Sequence, residues 1–438
     1  MPKLACVMST NKKTVPPSRS KCSRTLQVLE RMSLVPPIPW ESPPPTCLPS
    51  IRRIGAWGDV DPSRVSTNAE NVRRAIRDIS RPLALVQTSE GLGVVAGDGP
   101  LWSANGVDRG ISRQHWLPII AVAPALPPES LGDPTFRHEH NLRYPYIAGA
   151  MANGIGSCEI VEAMSQAGML GFFGSAGLSP ERVAAAIDRL QNRLQGKPFG
   201  LNLIHSPNEP RLEAEIVELY LRRGVRLVEA SAYLDLTLPV VKYRVAGIRR
   251  GTDGRPETPN RIIAKVSRVE VATKFMSPPP ERYLRELQQQ GFLTAEQVEL
   301  ASQIPMAQDV TAEADSGGHT DNRPAITLVP TLVSLRDRLQ ERFHFPVPVR
   351  IGAAGGIATP AAAAAAFSLG ASYILTGSIN QACVESGSSD LVREMLAQAE
   401  QADVTMAPAA DMFEMGVKVQ VLKRGTMFPM RAAKLLDR

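Results

Sequence analysis

From Tyr144 onward the chain alternates short, β-rich apolar runs that end in Gly, Ala or Asn with longer segments of helical period, a pattern that predicts βα units with parallel strands. Strands are predicted at 144–151 (YPYIAGAM), 170–176 (LGFFGSA), 199–204 (FGLNLI), 226–232 (RLVEASA), 261–267 (RIIAKVS), 308–314 (QDVTAEA), 348–354 (PVRIGAA) and 372–378 (SYILTGS). Eight units fit a closed sheet, so the expected fold class is α/β, a (β/α)8 TIM barrel spanning residues 141–400. Ser179-Pro180 and Thr359-Pro360 each set an N-cap residue before a proline at the first helical position. The run Ala361–Ala366 then reads as a tightly packed helix. Most strand spacings are roughly 25 to 30 residues, but those on either side of the fifth strand are longer, which predicts helical insertions after strands four and five. After strand four, Leu236–Ile248 reads as a helix followed by the charged loop GTDGRPETPN. After strand five, 278–304 reads as a helical pair whose second member starts at a Thr294/Gln297 capping box. An insertion leaving a strand's carboxyl end is expected at the catalytic rim, so 278–304 is expected to act as a lid. An open doubly wound sheet is the competing architecture, but the turn AGAMANGIGS lacks the GxGxxG pattern.

The segment before the barrel differs in character. Residues 51–140 predict a small α+β subdomain, with a helix over Asn68–Ile79 and a hairpin of Leu83–Gln87 and Leu92–Ala96. His138 and His140 lie two apart with no third ligand nearby, so a polar linker is expected there and no metal. Residues 1–50, rich in Pro, Ser and Lys, are expected to be disordered. Residues 401–438 are expected to be a C-terminal extension.

Composition narrows the function classes. The chain has 438 residues and a formal charge of +6, part of it concentrated in the first fifty residues, which argues against a nucleic-acid partner. No apolar run reaches the roughly 18 residues a membrane span needs, and no signal-peptide pattern opens the chain, so a cytoplasmic protein is expected. The five cysteines show no metal-ligand spacing, so neither disulfide nor zinc is assigned.

Candidate chemistry concentrates in Thr311–Pro324 (TAEADSGGHTDNRP), which is more polar than a folding linker requires. Gly317 and Gly318 let the backbone approach a flat ligand, and His319 beside them is the expected proton-transfer group. Three strand ends fit a mononucleotide. Ala150, Met151 and Ala152 follow strand one, and the turns at Gly355-Gly356 and Gly377-Ser378 follow strands seven and eight, where exposed amides can form an anion nest. Asn202 can donate to and accept from a flavin's uracil-like edge. Lys265 has two readings: a charge partner near flavin N1, or a barrel-interior ion pair with Glu229 or Glu313. His205 is a secondary pocket candidate.

With these residues in view, the chain resembles the nitronate monooxygenase-like flavin barrels and, among them, the PfaD family of polyunsaturated fatty acid and polyketide synthase enoyl reductases. The resemblance runs from about Trp57 to the C-terminus. It is carried by YIAGAMANGIGSCEIVEAMSQAGMLGFFGSAGLSPERV, EADSGGHTDNRP and IGAAGGIATP. It implies that His319 is the catalytic histidine and that Gly355, Gly356, Gly377 and Ser378 hold the FMN phosphate. The Ala150–Ala152 backbone and Asn202 would contact the isoalloxazine ring; from their own positions Lys265, Glu313, Gly317 and Gly318 are expected to complete the cofactor site. Asp315-Ser316 replaces the Glu-Ala of the wider superfamily, as in PfaD-like proteins. Those proteins generally continue with a further C-terminal helical segment, so 401–438 is expected to be a truncated extension. The implied activity is an FMN-dependent enoyl reductase that uses NADPH (or NADH) and acts in trans on an acyl carrier protein, with a homodimer as one assembly open to it. The rivals are a nitronate monooxygenase and a non-catalytic assembly component of a synthase. A docking face for the acidic carrier is expected in Lys242–Arg261, at the same rim.

Overall fold

The computed structural model describes residues 55–57, 62–97, 101–103, 117–207, 209–409 and 416–436. The leader expected over 1–50 lies outside the described residues. The chain divides into two compact units, the first up to Arg77 with Leu83–Ala123, the second comprising Asp78–Pro82 and Pro124–Arg438.

The first unit is an antiparallel sheet of β1 (Gly55–Trp57), β2 (Val65–Ser66), β3 (Leu83–Thr88), β4 (Gly91–Ala96), β5 (Leu101–Ser103) and β6 (Leu117–Ala123), in the order β2-β4-β3-β6-β1-β5. The predicted hairpin is β3–β4, in register from Leu83↔Ala96 to Thr88↔Gly91. The predicted helix is Ala69–Arg77, capped by Asn68, whose Oδ1 accepts from Asn71 N at 2.8 Å. Alternate residues of β3 point inward, and Ala84 and Val86 join Trp57, Val95 and Ile119 in a small core.

The second unit is the predicted barrel. Its strands are β7 (Tyr146–Ala148), β8 (Leu170–Phe173), β9 (Gly200–Ile204), β10 (Leu227–Ser231), β13 (Arg261–Val266), β14 (Asp309–Glu313), β16 (Arg350–Ala354) and β17 (Ile374–Thr376). They close in that order, with β17 pairing back onto β7. Between them lie a hairpin, β11 (Arg249–Arg250) with β12 (Pro256–Glu257), and the short β15 (Gly318–His319). After the barrel come β18 (Val404–Pro408) and β19 (Lys418–Leu422). Outward side chains of the strands join the surrounding helices in one large core, whereas Ile147, Leu170, Phe172, Leu227, Ile263, Tyr373 and Leu375 fill the interior. Glycine makes room for the interior rings. A Cβ at Gly352 would lie 2.2 Å from the Tyr373 ring, and one at Gly200 would lie 2.2 Å from the Phe172 ring.

Three expectations about segments are corrected. The boundary between units falls at Ala123/Pro124 rather than near residue 140. The reason is that the helix Pro134–Glu139 plugs the amino end of the barrel: Phe136 is fully buried and stacks on Tyr373 at 4.2 Å, and His140 Nε2 meets Asp309 Oδ2 at 2.8 Å. His140 is thus a structural partner, and no metal-binding cluster occurs among the described residues.

Second, the helical pair Glu281–Gln289 and Ala295–Ala301 is present with its capping box, but as part of the barrel wall and not as a lid. A helix unforeseen in the sequence, Val269–Phe275, first carries the chain away from the end of β13. The two ends of the insertion are then stitched together ahead of β14 by Met306 N to Ser277 O at 3.0 Å and Ala307 N to Phe275 O at 2.9 Å. Leu284, Leu287, Leu293 and Leu300 are buried in the main core, and Tyr283 and Gln297 donate to Leu236 O and Ile248 O at either end of the helix Leu238–Val245.

Third, the charged stretch Lys242–Arg261 is not at the catalytic rim. The helix Leu238–Val245 returns the chain to the amino ends of the strands, where Arg261 N donates to Arg226 O at 2.8 Å. Its cations are also already paired: Arg249 with Glu257, Arg250 with Glu296, Arg255 with Asp253, Arg261 with Glu139 and Lys242 with Glu218. Arg244 is buried, donating to Pro305 O and Asn260 O.

The amino end is closed electrostatically. Arg350 Nε lies 2.6 Å from Asp309 Oδ1, and Arg350 Nη1 lies 2.7 Å from Glu139 Oε2. Burial works against the Asp309 charge, but Arg350 and His140 outweigh it and hold its pKa at about 2. An unfolded aspartate titrates near ~3.9, so this contribution to stability is full above that pH and is lost as pH falls through about 2. Asp309→Asn should lower stability by about 3–5 kcal/mol at neutral pH, since it strips a buried guanidinium of its main partner. Urea titrations at pH 7 and across the acid limb, where the wild type should lose stability more steeply than the variant, check this.

Candidate functional site

At the carboxyl ends of the strands the interior changes from apolar to charged. Lys265 Nζ on β13 sits between Glu229 Oε1 on β10, 3.3 Å away, and Glu313 Oε1 on β14, 3.1 Å away. Burial disfavours the Lys265 charge, yet Glu313 and Glu229 more than offset this and raise its pKa. Burial raises the pKa of Glu229, which is wholly inaccessible to solvent, while Lys265 pulls it back. Glu229 Oε1 has no well-formed hydrogen bond; Oε2 accepts from Ala150 N at 3.1 Å. The interior ion pair expected as one reading of Lys265 is therefore present, and it is tied directly to the backbone expected to line a flat ring. Glu229 itself was not selected from sequence as a site residue. The signal available was strand parity: β10 points Leu227 into the barrel, and the residue two further on shares that face.

The turn after β7 is held by backbone bonds to its neighbours. Gly149 N donates to Thr376 O at 3.0 Å, Gly156 N to Met151 O at 2.9 Å, and Gly154 N to Gly174 O at 2.9 Å. A Cβ on Gly174 would lie 1.6 Å from Met151 O, so only glycine lets the Ala150–Ala152 backbone sit where it does. Met151 is half-buried and Ala152 exposed. Asn202 is buried, and both donors of its amide are used on β10, to Glu229 O at 3.0 Å and Ser231 Oγ at 2.9 Å. It can therefore offer a ligand only its carbonyl oxygen, which corrects the expectation that it would both donate and accept.

The turns after β14, β16 and β17 meet. A Cβ on Gly355 would lie 2.6 Å from Ala314 O, and one on Gly317 would lie 2.7 Å from Ser378 Oγ. By contrast a Cβ on Gly356 or Gly377 would meet nothing within 4 Å. Gly355 and Gly356 have φ of 90° and 69°, a region where glycine is favoured. Ser316 Oγ, in the same cluster of turns, is buried without a partner. Close backbone approach at Gly355 and Gly317, open space over Gly356 and Gly377 and an unsatisfied hydroxyl in the same turns leave room and a hydrogen-bonding group for a polar ligand. Thr376 braces this corner: its Oγ1 lies 2.7 Å from Tyr146 OH and accepts from Asn380 Nδ2 at 2.9 Å.

His319 is exposed on β15, within the loop after β14. The base of that loop is closed by Asp315 N donating to Arg323 O at 2.9 Å, and Asp321 is gripped by Ser267 and by both ends of the Arg268 guanidinium. β15 also forms a three-stranded sheet with the C-terminal strands, in the order β15-β19-β18, a connection no local pattern announced. His205, the secondary candidate, follows β9, with Nδ1 2.9 Å from Glu213 Oε2 and its ring stacked on Tyr233.

Lys265→Met should cost about 3–5 kcal/mol, because it leaves two carboxylates facing each other with Glu229 fully buried. Adding Glu229→Gln should recover part of that loss. Denaturant midpoints of the single and double variants test the coupling.

Comparison with known proteins agrees with this geometry. Residues 135–436 match the family model described as nitronate monooxygenase. The chain is 46% identical over 345 residues to a component of the polyunsaturated fatty acid synthase of a Thraustochytrium species, covering 78% of this chain and 23% of that protein. It is 48% identical over 310 residues to polyketide biosynthesis protein PksE of Bacillus subtilis, covering 70% and 40%. The chain thus spans less than half the length of these curated relatives. Among solved structures, the enoyl reductase domain of MlnA from the macrolactin cluster of Bacillus amyloliquefaciens superposes with a TM-score of 0.69 at 44% identity, over 71% of this chain and 70% of that one. With a parallel barrel of the expected strand order, a glycine-lined cradle at its carboxyl end and a family match over most of its length, the chain belongs to the nitronate monooxygenase family.

Proposed function

We propose that the chain is a flavin-dependent enoyl reductase that acts on 2-enoyl thioesters delivered by an acyl carrier protein in polyunsaturated fatty acid or polyketide synthesis. The observation that carries this reading is the 44% identity to the MlnA enoyl reductase domain across about seven-tenths of both chains. The names of the relatives point to the same pair of pathways.

FMN is the cofactor the site fits best, and bound there it would supply hydride taken from NADPH or NADH. Gly355, Gly356, Gly377 and Ser378 would receive its phosphate, while Ala150, Met151 and Ala152 present backbone to the ring and Asn202 offers its carbonyl oxygen. Glu313 and Glu229 raise the Lys265 pKa, so beside a bound flavin this lysine would stay protonated and would offset negative charge on it. Gly317 and Gly318 keep the loop slim, and the His319 imidazole delivers a proton to the α-carbon as the β-carbon is reduced. The carrier protein docks on a surface other than Lys242–Arg261, whose cations are already paired.

The family model's description favours a second reading, oxidation of alkyl nitronates, in which His319 would remove a proton instead of giving one. Purified protein should be yellow or take up FMN on reconstitution; a colourless preparation that binds none overturns the cofactor assignment. With crotonyl-carrier protein and NADPH the wild type should consume NADPH, and His319→Ala should slow that turnover about 10²–10⁴-fold with flavin retained. Turnover of a nitronate with oxygen and none of the enoyl thioester would establish the second reading. Output of a reconstituted synthase that depends on the protein but not on His319 would instead mark an assembly role.

A further inference from the structure

The loop that carries His319 is exposed at its tip. Gly317, Gly318 and His319 are all exposed, and a Cβ on Gly318 would meet nothing within 4 Å. Its fixed points lie on either side of the imidazole, at the Asp315–Arg323 closure and at Asp321. Between them the backbone is held from a distant part of the chain. Gly318 pairs with Gln420 and His319 with Val419, antiparallel, and Gln420 Nε2 donates to Asp315 Oδ1 at 3.3 Å.

The clamp is itself braced. β19 pairs with β18 from Val404↔Leu422 to Pro408↔Lys418, making it the central strand of the three. Ala409 N to Val417 O and Lys423 N to Asp403 O, both 2.8 Å, extend the ladder at its two ends, and the helix Phe428–Leu436 packs on β18. At Val419 and Gln420 the strand is paired on both edges, which makes it a stiffer support than a free loop.

We infer that β19 is a positioning element for the proposed acid: Val419 and Gln420 fix the backbone of Gly318 and His319, and so the place from which the imidazole acts. This rests on His319 being the proton donor. Positioning of this kind affects the chemical step, since small misplacements of a catalytic group cost rate more than ground-state binding.

The test uses Val419→Pro, which breaks the central strand of the ladder opposite His319, and Gln420→Ala, which removes only the side-chain bond to Asp315. With crotonyl-carrier protein and NADPH, Val419→Pro should lower kcat at least tenfold and Gln420→Ala about two- to fivefold, with KM for the thioester and flavin content unchanged. A cycle separates positioning from general damage. In the His319→Ala background, Val419→Pro should produce no further loss of the residual rate, because the group it positions is gone. If His319→Ala is slow while both clamp variants keep the wild-type kcat, or if the losses multiply, the inference is overturned and the role of His319 stands. If His319→Ala turns over at the wild-type rate, the assignment of His319 falls first. Should Val419→Pro fail to fold or to hold flavin, Gln420→Ala decides, and a wild-type kcat in that variant overturns the inference.

Discussion

The charged layer of Lys265, Glu229 and Glu313 is the constraint around which the functional half of the barrel is built. Below it the interior is sealed by Phe172 and Tyr373, rings that fit only because Gly200 and Gly352 face them. Above it open the glycine turns. These three side chains can be kept at this boundary because Lys265 lies between the two carboxyl groups, and because Glu229 spends its second oxygen on the amide of Ala150. The same bond makes the turn after β7 part of the layer and not merely a neighbour of it. Replacing these three residues by apolar ones would remove the side-chain tie to the Ala150 amide and leave the turn after β7 to its backbone bonds alone.

The opposite end uses similar chemistry for a different purpose. Asp309, Arg350, His140 and Glu139 form a network closed by the Pro134–Glu139 helix. Buried charge by itself therefore does not mark the active end. What distinguishes the two ends is the backbone: short turns with left-handed glycines and an unpartnered hydroxyl at one, a capped helix plugging the other.

Much of this was legible in the sequence. All eight barrel strands lie inside the predicted β-rich runs, and the Thr294 capping box and the β3–β4 hairpin follow from local rules. The glycine turns could be read because a missing side chain at a strand end leaves a local trace. The failures share one cause: they concern where a segment goes after it leaves its strand. Residues 278–304 read correctly as a helix pair and 251–260 as a charged loop, but the helices Val269–Phe275 and Leu238–Val245 carry the chain off the rim before those segments begin. Likewise, Asn202 was recognised as an inward-facing amide, while its commitment to Glu229 O and Ser231 Oγ depends on the neighbouring strand and leaves no local mark. Glu229 was visible as a polar residue on an inward parity but looked like a partner for Lys265 and nothing more.

The sheet that β15 makes with β19 has a consequence for how the protein comes into being. Asp315 and Gln420 are 105 residues apart. During synthesis all eight barrel strands emerge before β19 does, so the barrel can close while the loop bearing His319 still lacks its edge partner. Joining ends so distant along the chain carries an entropic cost that only a preformed barrel can reduce, by holding β14 still while the C-terminal strands arrive. The order of assembly is thus scaffold first and the His319 loop last, and a nascent chain would acquire its glycine turns before it acquires a fixed imidazole.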